Sequence, residues 1–297
     1  MYIKKSLDLS NYRNAYVIGD IHGSFKYLEY ALKKIDFDKN QDVLICTGDL
    51  IGRGKETYQV LNYLNSNWFF SVLGNHDMIC LYDVLSEKLP NKINEKLFSF
   101  VPDTYEMDLY EKITGVEEVF STLPLIYELT TKTGEKVVIS HASLPVNKNY
   151  EEEKGKIINN IEDYIVDILW NRVIGKTLKV LNNNADLREK SGISESETFY
   201  EDEEEFQSDF NYYNNLYYIE DLKAVFHGHN IVVDNTYTKD NVLQKNKIGN
   251  RYLIDTGGYR RQKYKGKTKK ESHIKKYEKS SFTIVDINSL ECVFFKN

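Results

Sequence analysis

Along the first third of the chain, short unbroken apolar runs alternate with stretches of helical periodicity. Ala15 to Asp20 reads AYVIGD, the pattern of a buried strand closed by a glycine. Ser24 then stands where it can cap a helix whose apolar face is Phe25, Leu28, Leu32 and Ile35. Asp42 to Asp49, DVLICTGD, predicts a second strand, and Tyr58, Leu61 and Leu64 mark a second amphipathic helix. Phe69 to Asn75, FFSVLGN, predicts a third strand, with a third helix over Met78 to Leu85. This alternation predicts βαβ units around a largely parallel α/β core. Further strands are expected at Lys136–Ser140, Ala224–Phe226, Arg251–Asp255 and Phe282–Asp286. The last of these have no helix between them, so this sheet, or a second one, is expected to turn antiparallel there.

Three segments break the rhythm. Residues 91–118 read as a helical or irregular insert, 183–215 as an acidic insert and 260–279 as a basic loop. The plain reading of the last two is solvated loops. The sharper one sets the basic loop beside an anionic substrate or against the acidic insert. The expectation is one catalytic domain over 1–297 that carries these inserts.

Charge and cysteine content narrow the classes. With 39 Lys and Arg against 45 Asp and Glu, the net charge is −6, a poor footprint for a sequence-tolerant nucleic-acid binder. No apolar run reaches the roughly 18–20 residues of a membrane span, and MYIKKSLDLSNYRNAY lacks a secretory core. Three scattered cysteines do not suggest a disulfide framework. A soluble cytoplasmic protein with neither nucleic acid nor membrane as partner is expected.

The chemistry sits where the strands end. Gly19-Asp20-Ile21-His22-Gly23 follows the first, Gly48-Asp49-Leu50-Ile51-Gly52-Arg53-Gly54 the second and Gly74-Asn75-His76-Asp77 the third. His141 follows the Lys136–Ser140 strand, and His227-Gly228-His229 the Ala224–Phe226 strand. In α/β sheets, ligands bind outside the carboxyl ends of the strands. A lone Asp-x-His is as easily a solvated turn. In extended backbone, however, residues two apart project to one side, so Asp20 and His22 can reach one ion. So many ionisable groups in one crevice would be costly without cations, which points to a metal centre.

The trio GDIHG, GDLIGRG and GNHD, followed by single downstream histidines, resembles the phosphoprotein phosphatase family of the metallophosphoesterases, nearest the bacteriophage lambda type. The likeness extends to Tyr12-Arg13-Asn14, Leu123-Pro124-Leu125-Ile126, Leu169-Trp170-Asn171-Arg172 and Asp255-Thr256-Gly257, over roughly residues 9–176 and 221–258. It implies an αβ sandwich of two mixed sheets flanked by helices. It implies two divalent ions, Mn²⁺ with Fe or Zn²⁺ as alternatives: Asp20, His22 and Asp49 on the first, Asp49 bridging, and Asn75, His141 and His229 on the second. A metal-bridging hydroxide would attack phosphorus, Arg53 and Arg172 would clamp the phosphate, and His76 would protonate the leaving oxygen. The resemblance assigns His227 no role, and a buried, satisfied histidine is expected there.

One departure bears on substrate. Protein phosphatases of this family carry Asp where Gly52 stands, paired with the catalytic histidine. Its loss is expected to lower the pKa of His76, and Asp77 is a candidate compensator. A serine alkoxide needs protonation to leave, whereas a nucleotide phosphate does not. Gly52 thus favours a dinucleoside polyphosphate, cleaved symmetrically, but Trp170-Asn171-Arg172 and Leu123-Pro124-Leu125-Ile126 resemble the protein phosphatases more, so a phosphoprotein is the first expected substrate and the dinucleotide the second. A non-catalytic, metal-stabilised binding module rests on Gly52 alone.

Overall fold

The computed structural model describes residues 2–54, 56–85, 91–98, 116–179, 181, 212, 214–231, 237–258 and 281–295. The basic loop and nearly all of the acidic insert lie outside these residues. Of the insert at 91–118, Asn91–Phe98 is a helix and another begins at Val116.

Two mixed sheets pack face to face. The five-stranded sheet is built on β2 (Ala15–Ile18), β3 (Val43–Cys46) and β4 (Phe69–Ser71), parallel and in chain order. Its other two strands, β10 (Ile284–Asp286) and β11 (Glu291–Phe294), join antiparallel beside β2. The six-stranded sheet runs β1 (Tyr2–Asp8), β5 (Pro124–Thr130), β6 (Lys136–Ser140), β7 (Ala224–His227), β9 (Arg251–Leu253), β8 (Lys247–Ile248). The sandwich of two mixed sheets is the expected one. The antiparallel turn is met by β10, but β9 runs parallel to β7.

Side-chain alternation explains why the strand sequences are apolar throughout. Val17, Ile45, Val137, Ile139, Phe226 and Val285 fill the core between the sheets. Ile18, Leu44, Cys46, Val138 and Val225 point the other way, into the core formed with the helices. A strand covered on both faces has no need of polar positions.

Helix α1 (Phe25–Lys34) buries Phe25, Leu28, Ala31 and Leu32. Ser24 is its N-cap residue, but its side chain makes no capping bond. The second helix departs from the expected face. Thr57–Gln59 is a 3₁₀ turn before α2 (Val60–Leu64), and Tyr58 is 60% exposed while Tyr63 is buried. Three residues per turn instead of 3.6 shifts the phase of the apolar face. The third helix, α3, covers Asn75–Leu85 and so begins three residues before the expected Met78.

At the sheet end opposite the strand-end motifs, Asp42 ties the starts of β2 and β3 together. Its oxygens accept from Arg13 Nε (2.9 Å) and Asn14 Nδ2 (3.0 Å), and from the backbone amides of Asn14 (3.1 Å) and Asp38 (2.9 Å). Asp42 is 1% exposed, so Asp42→Ala removes a buried acceptor on which several part-buried donors converge. Losing those acceptors is expected to cost about 2–3 kcal/mol. Thermal denaturation should register a clear fall in melting temperature, while activity measured well below the melt stays unchanged.

Candidate metal centre

The parallel strands bring the motifs to one edge. Ile18 pairs with Cys46 and Cys46 with Ser71, so the loops beginning at Gly19, Thr47 and Val72 leave the sheet at one level. In the facing sheet Ile139 pairs with Phe226, which delivers His141 and His229 from neighbouring strands. Four non-glycine residues of these loops adopt left-handed backbone: His22 (φ 46°), Asp49 (51°), Arg53 (63°) and His229 (58°). Residues with side chains rarely sit there, and such strain gathers at functional sites.

Asp49 lies at the centre. It is 1% exposed and belongs to two clusters whose candidate ligand atoms all lie within 4.8 Å of one another: Asp49 with His141 and His229, and Asp49 with His22 and His76. His22 Nε2 is 3.4 Å from Asp49 Oδ2, and His141 Nε2 is 3.5 Å from Asp49 Oδ1. Asn75 Oδ1 is 2.9 Å from His141 Nε2 and 2.9 Å from His229 Nδ1. The expected second set, Asp49, Asn75, His141 and His229, is therefore assembled. In the first set, His76 rather than Asp20 shares the tight cluster with His22 and Asp49. Asp20 Oδ2 lies 3.9 Å from His22 Nε2, and both Asp20 oxygens accept from the His229 amide, at 3.1 and 3.0 Å.

The donor pattern fits divalent cations. His22 Nδ1 donates to the Ile51 carbonyl (3.0 Å) and His141 Nδ1 to the Thr47 carbonyl (2.8 Å). A carbonyl only accepts, so these bonds fix the proton on Nδ1 and leave Nε2 as a lone pair. Burial drives the pKa of both histidines down, that of His141 to about 4, so neither carries a second proton at neutral pH. The Nε2 lone pair of His141 thus meets the oxygens of Asn75 and Asp49 with no proton between them. His229 Nε2 is buried without a hydrogen-bond partner. Converging acceptors of this kind are what a cation binds. Burial first, and neighbouring carboxylates next, push the Asp20 carboxyl up; burial likewise raises Asp49, with Arg53 opposing.

The two arginines differ in placement. Arg53 is half-buried and donates from its guanidinium to His76 Nε2 (3.1 Å). Arg172 is exposed, in the turn after the helix Ile161–Trp170, and its charge is felt at Asp49, His76, His141 and His229. The His76 pKa lies well below that of a free histidine, as Gly52 predicts, yet the causes are burial and then Arg53.

Asp77 does not compensate for the missing carboxylate. Its oxygens accept from the amides of Leu50 (2.9 Å), Ile51 (3.3 Å) and Gly74 (3.0 Å), and so are committed to backbone. His227 is buried but only half satisfied: Nδ1 is 3.2 Å from the Ser140 hydroxyl, and Nε2 has no partner. Asp255 was not among the candidate ligands. It is buried after β9 and raises the pKa of both Asp20 and Asp49 electrostatically. Its sequence signal was the same as the others, an acidic residue directly after a strand.

Residues 14–233 match the family described as calcineurin-like phosphoesterase. The serine/threonine-protein phosphatase 2 of Salmonella typhimurium is 34% identical over 166 residues, 54% of this chain and 69% of that protein. The symmetrical bis(5'-nucleosyl)-tetraphosphatase of Buchnera aphidicola is 30% identical over 187 residues, 60% of this chain and 59% of that protein. The solved cold-active protein-tyrosine phosphatase of a psychrophilic Shewanella is similar at 14% identity, covering 97% of this chain and 78% of its own, with a TM-score of 0.41. With a family match over most of its length and its strand-end residues gathered at one edge of the sandwich, this chain belongs to the calcineurin-like metallophosphoesterases.

Proposed function

We propose that the chain is a phosphomonoester hydrolase of the serine/threonine protein phosphatase type. It acts as a single catalytic domain in the cytoplasm, with two divalent ions that are Mn²⁺ in the first instance and Fe or Zn²⁺ as substitutes. The supporting observation is the convergence of buried acceptors from Asp49, Asn75, His22 and His141 beside the positive charge of Arg53 and Arg172. Asp20, His22 and Asp49 would hold one ion, and Asp49, Asn75, His141 and His229 the other. Oxygen and imidazole donors without thiolate suit such ions. Bound there, the pair supplies Lewis acidity at the phosphoryl oxygens and lowers the pKa of water.

The protein's own groups do the rest. Arg172 reaches in from the rim and Arg53 from the loop after β3. A guanidinium fork matches two phosphate oxygens, and its charge counts for more as the transition state forms. When Arg53 turns to the phosphate it leaves His76 Nε2, which can then carry the proton for the leaving oxygen beside a dianion that favours it.

One feature favours a second reading, symmetrical cleavage of dinucleoside polyphosphates. Gly52 supplies no carboxylate to His76, and Arg53 meets that ring instead. A nucleotide phosphate leaves without an acid. The deciding experiment compares kcat/KM for a phosphoserine peptide and for diadenosine tetraphosphate in Mn²⁺. A preference of about tenfold or more for the peptide is expected, which is about 1.4 kcal/mol of transition-state binding. The opposite preference establishes the nucleotide reading. Aryl phosphate cannot separate them, because its leaving group is too easy.

A further inference from the structure

Asp77 is a wholly buried carboxylate that binds no substrate in the mechanism above and is in neither ligand cluster. It sits in the first turn of α3, three residues after Gly74. From there its Oδ2 reaches back to the Gly74 amide (3.0 Å), the half of a capping box that a third-position acid supplies. Its Oδ1 crosses to the other loop and takes the amides of Leu50 (2.9 Å) and Ile51 (3.3 Å). Asp49, on that loop, answers in kind: its Oδ1 takes the His76 amide of α3 at 2.8 Å. Each loop thus carries one carboxylate that grips the backbone of the other. Leu50 and Ile51 directly follow Asp49, and Gly74 directly precedes Asn75, so the bonds lie one or two residues from groups placed on the metals. Ile51 also offers the carbonyl that fixes the His22 tautomer.

We infer that Asp77 is a positioning residue: by clasping Leu50 and Ile51 on one loop and Gly74 on the other, it sets the spacing of Asp49 against Asn75 and so the affinity of the centre for divalent cations. The inference rests on the metal reading of the site. Only a carboxylate can do this, because three N–H groups converge on it and both of its oxygens must accept. An amide would set its own N–H₂ against one of those donors. The role belongs to the shell outside the ligands, where loss of a partner costs 10–100-fold in metal affinity.

The test is Mn²⁺ binding by calorimetry to the full chain stripped with a chelator, in wild type, Asp77→Asn and Asp77→Glu. The expected result is a Kd raised roughly 10–100-fold in Asp77→Asn, with recovery to within a few-fold of wild type in Asp77→Glu. At saturating Mn²⁺, the KM for aryl phosphate should stay unchanged. A purely structural role would lower the melting temperature of Asp77→Asn and leave the Mn²⁺ Kd of the folded protein untouched, which overturns the inference. Wild type that binds no Mn²⁺ overturns the metal reading together with it. Should Asp77→Asn not fold, amide exchange in wild type decides. Leu50, Ile51 and Gly74 must be protected without metal and slow at least tenfold further with Mn²⁺. Rates typical of open loops, or rates that Mn²⁺ does not change, overturn the inference.

Discussion

Asp49→Asn should lower Mn²⁺-dependent turnover of an aryl phosphate at least a hundredfold, and at the same time raise the melting temperature of chelator-treated protein at pH 8. Both effects come from one side chain. Asp49 is the member common to both clusters, and its two oxygens face His22 on one side and His141 on the other. An amide offers one oxygen and loses the charge, so it cannot serve two cations. The loss should exceed the roughly 10–100-fold seen when an outer partner of a ligand is removed. The stability change has the opposite sign. Burial first, then the charges of Asp255 and Asp49, raise the carboxyl pKa of Asp20, and burial followed by the charge of Asp49 raises that of Asp77. A carboxyl whose folded pKa lies above its unfolded value destabilises the fold increasingly as pH rises from the unfolded toward the folded pKa, and fully above it. Removing one such charge relieves the others at pH 8. Calorimetric melts with and without Mn²⁺ check this: Mn²⁺ should raise the wild-type melting temperature and leave that of Asp49→Asn nearly unmoved. A variant that melts below wild type in chelator, or that keeps its turnover, contradicts the account.

Gly74→Ala is the second large expected effect, and it needs no change of charge. A Cβ at position 74 would lie 2.1 Å from the Asp49 amide nitrogen and 2.3 Å from Asp49 Oδ1. Backbone cannot step aside as a flexible side chain can. The loop carrying Asp49 must retreat, and the Asp77 clasp on the Gly74 amide shifts with it. Overpacking at a buried site costs about 1–3 kcal/mol. A displacement near 1 Å of reacting groups costs on the order of a hundredfold in rate. Steady-state kinetics on the purified variant, alongside a melt, should find a greater loss in kcat than the lost stability alone explains. Near wild-type turnover would mean that the two loops can part to admit a methyl group without moving Asp49 from its working position.

The legible and illegible parts of this protein divide along physical lines. β2, β3, β6 and β7 could be read from sequence because both of their faces are buried, which leaves unbroken apolar runs. β1 could not be: YIKKSLD is mostly half-exposed or exposed and owes its conformation to parallel pairing with the distant β5. The start of α3 was misplaced because Asn75 and His76 look like the tail of a strand. What begins the helix there is a carboxylate three residues on, a tertiary and capping effect together. At the site, ligand types and their spacing were plain in the motifs, since each motif is local. Partnerships across loops were not. Nothing in the local sequence shows that Asp77 faces Leu50 and Ile51 rather than His76, or that Arg53 meets the His76 ring.

The place of β10 in the five-stranded sheet has a consequence for biosynthesis. Ile284 pairs with Ile18, so a strand translated long after β2 flanks the one that launches the first motif. While a ribosome is still extending the chain, that flank of β2 lacks its neighbour, and Asp20 and His22 hang from a half-built platform. At about 5–20 residues per second the delay lasts tens of seconds, long enough for a nascent polypeptide to need shelter from aggregation. The catalytic edge is therefore complete only once β10 has been made and has paired, whatever the order in which its motifs are made.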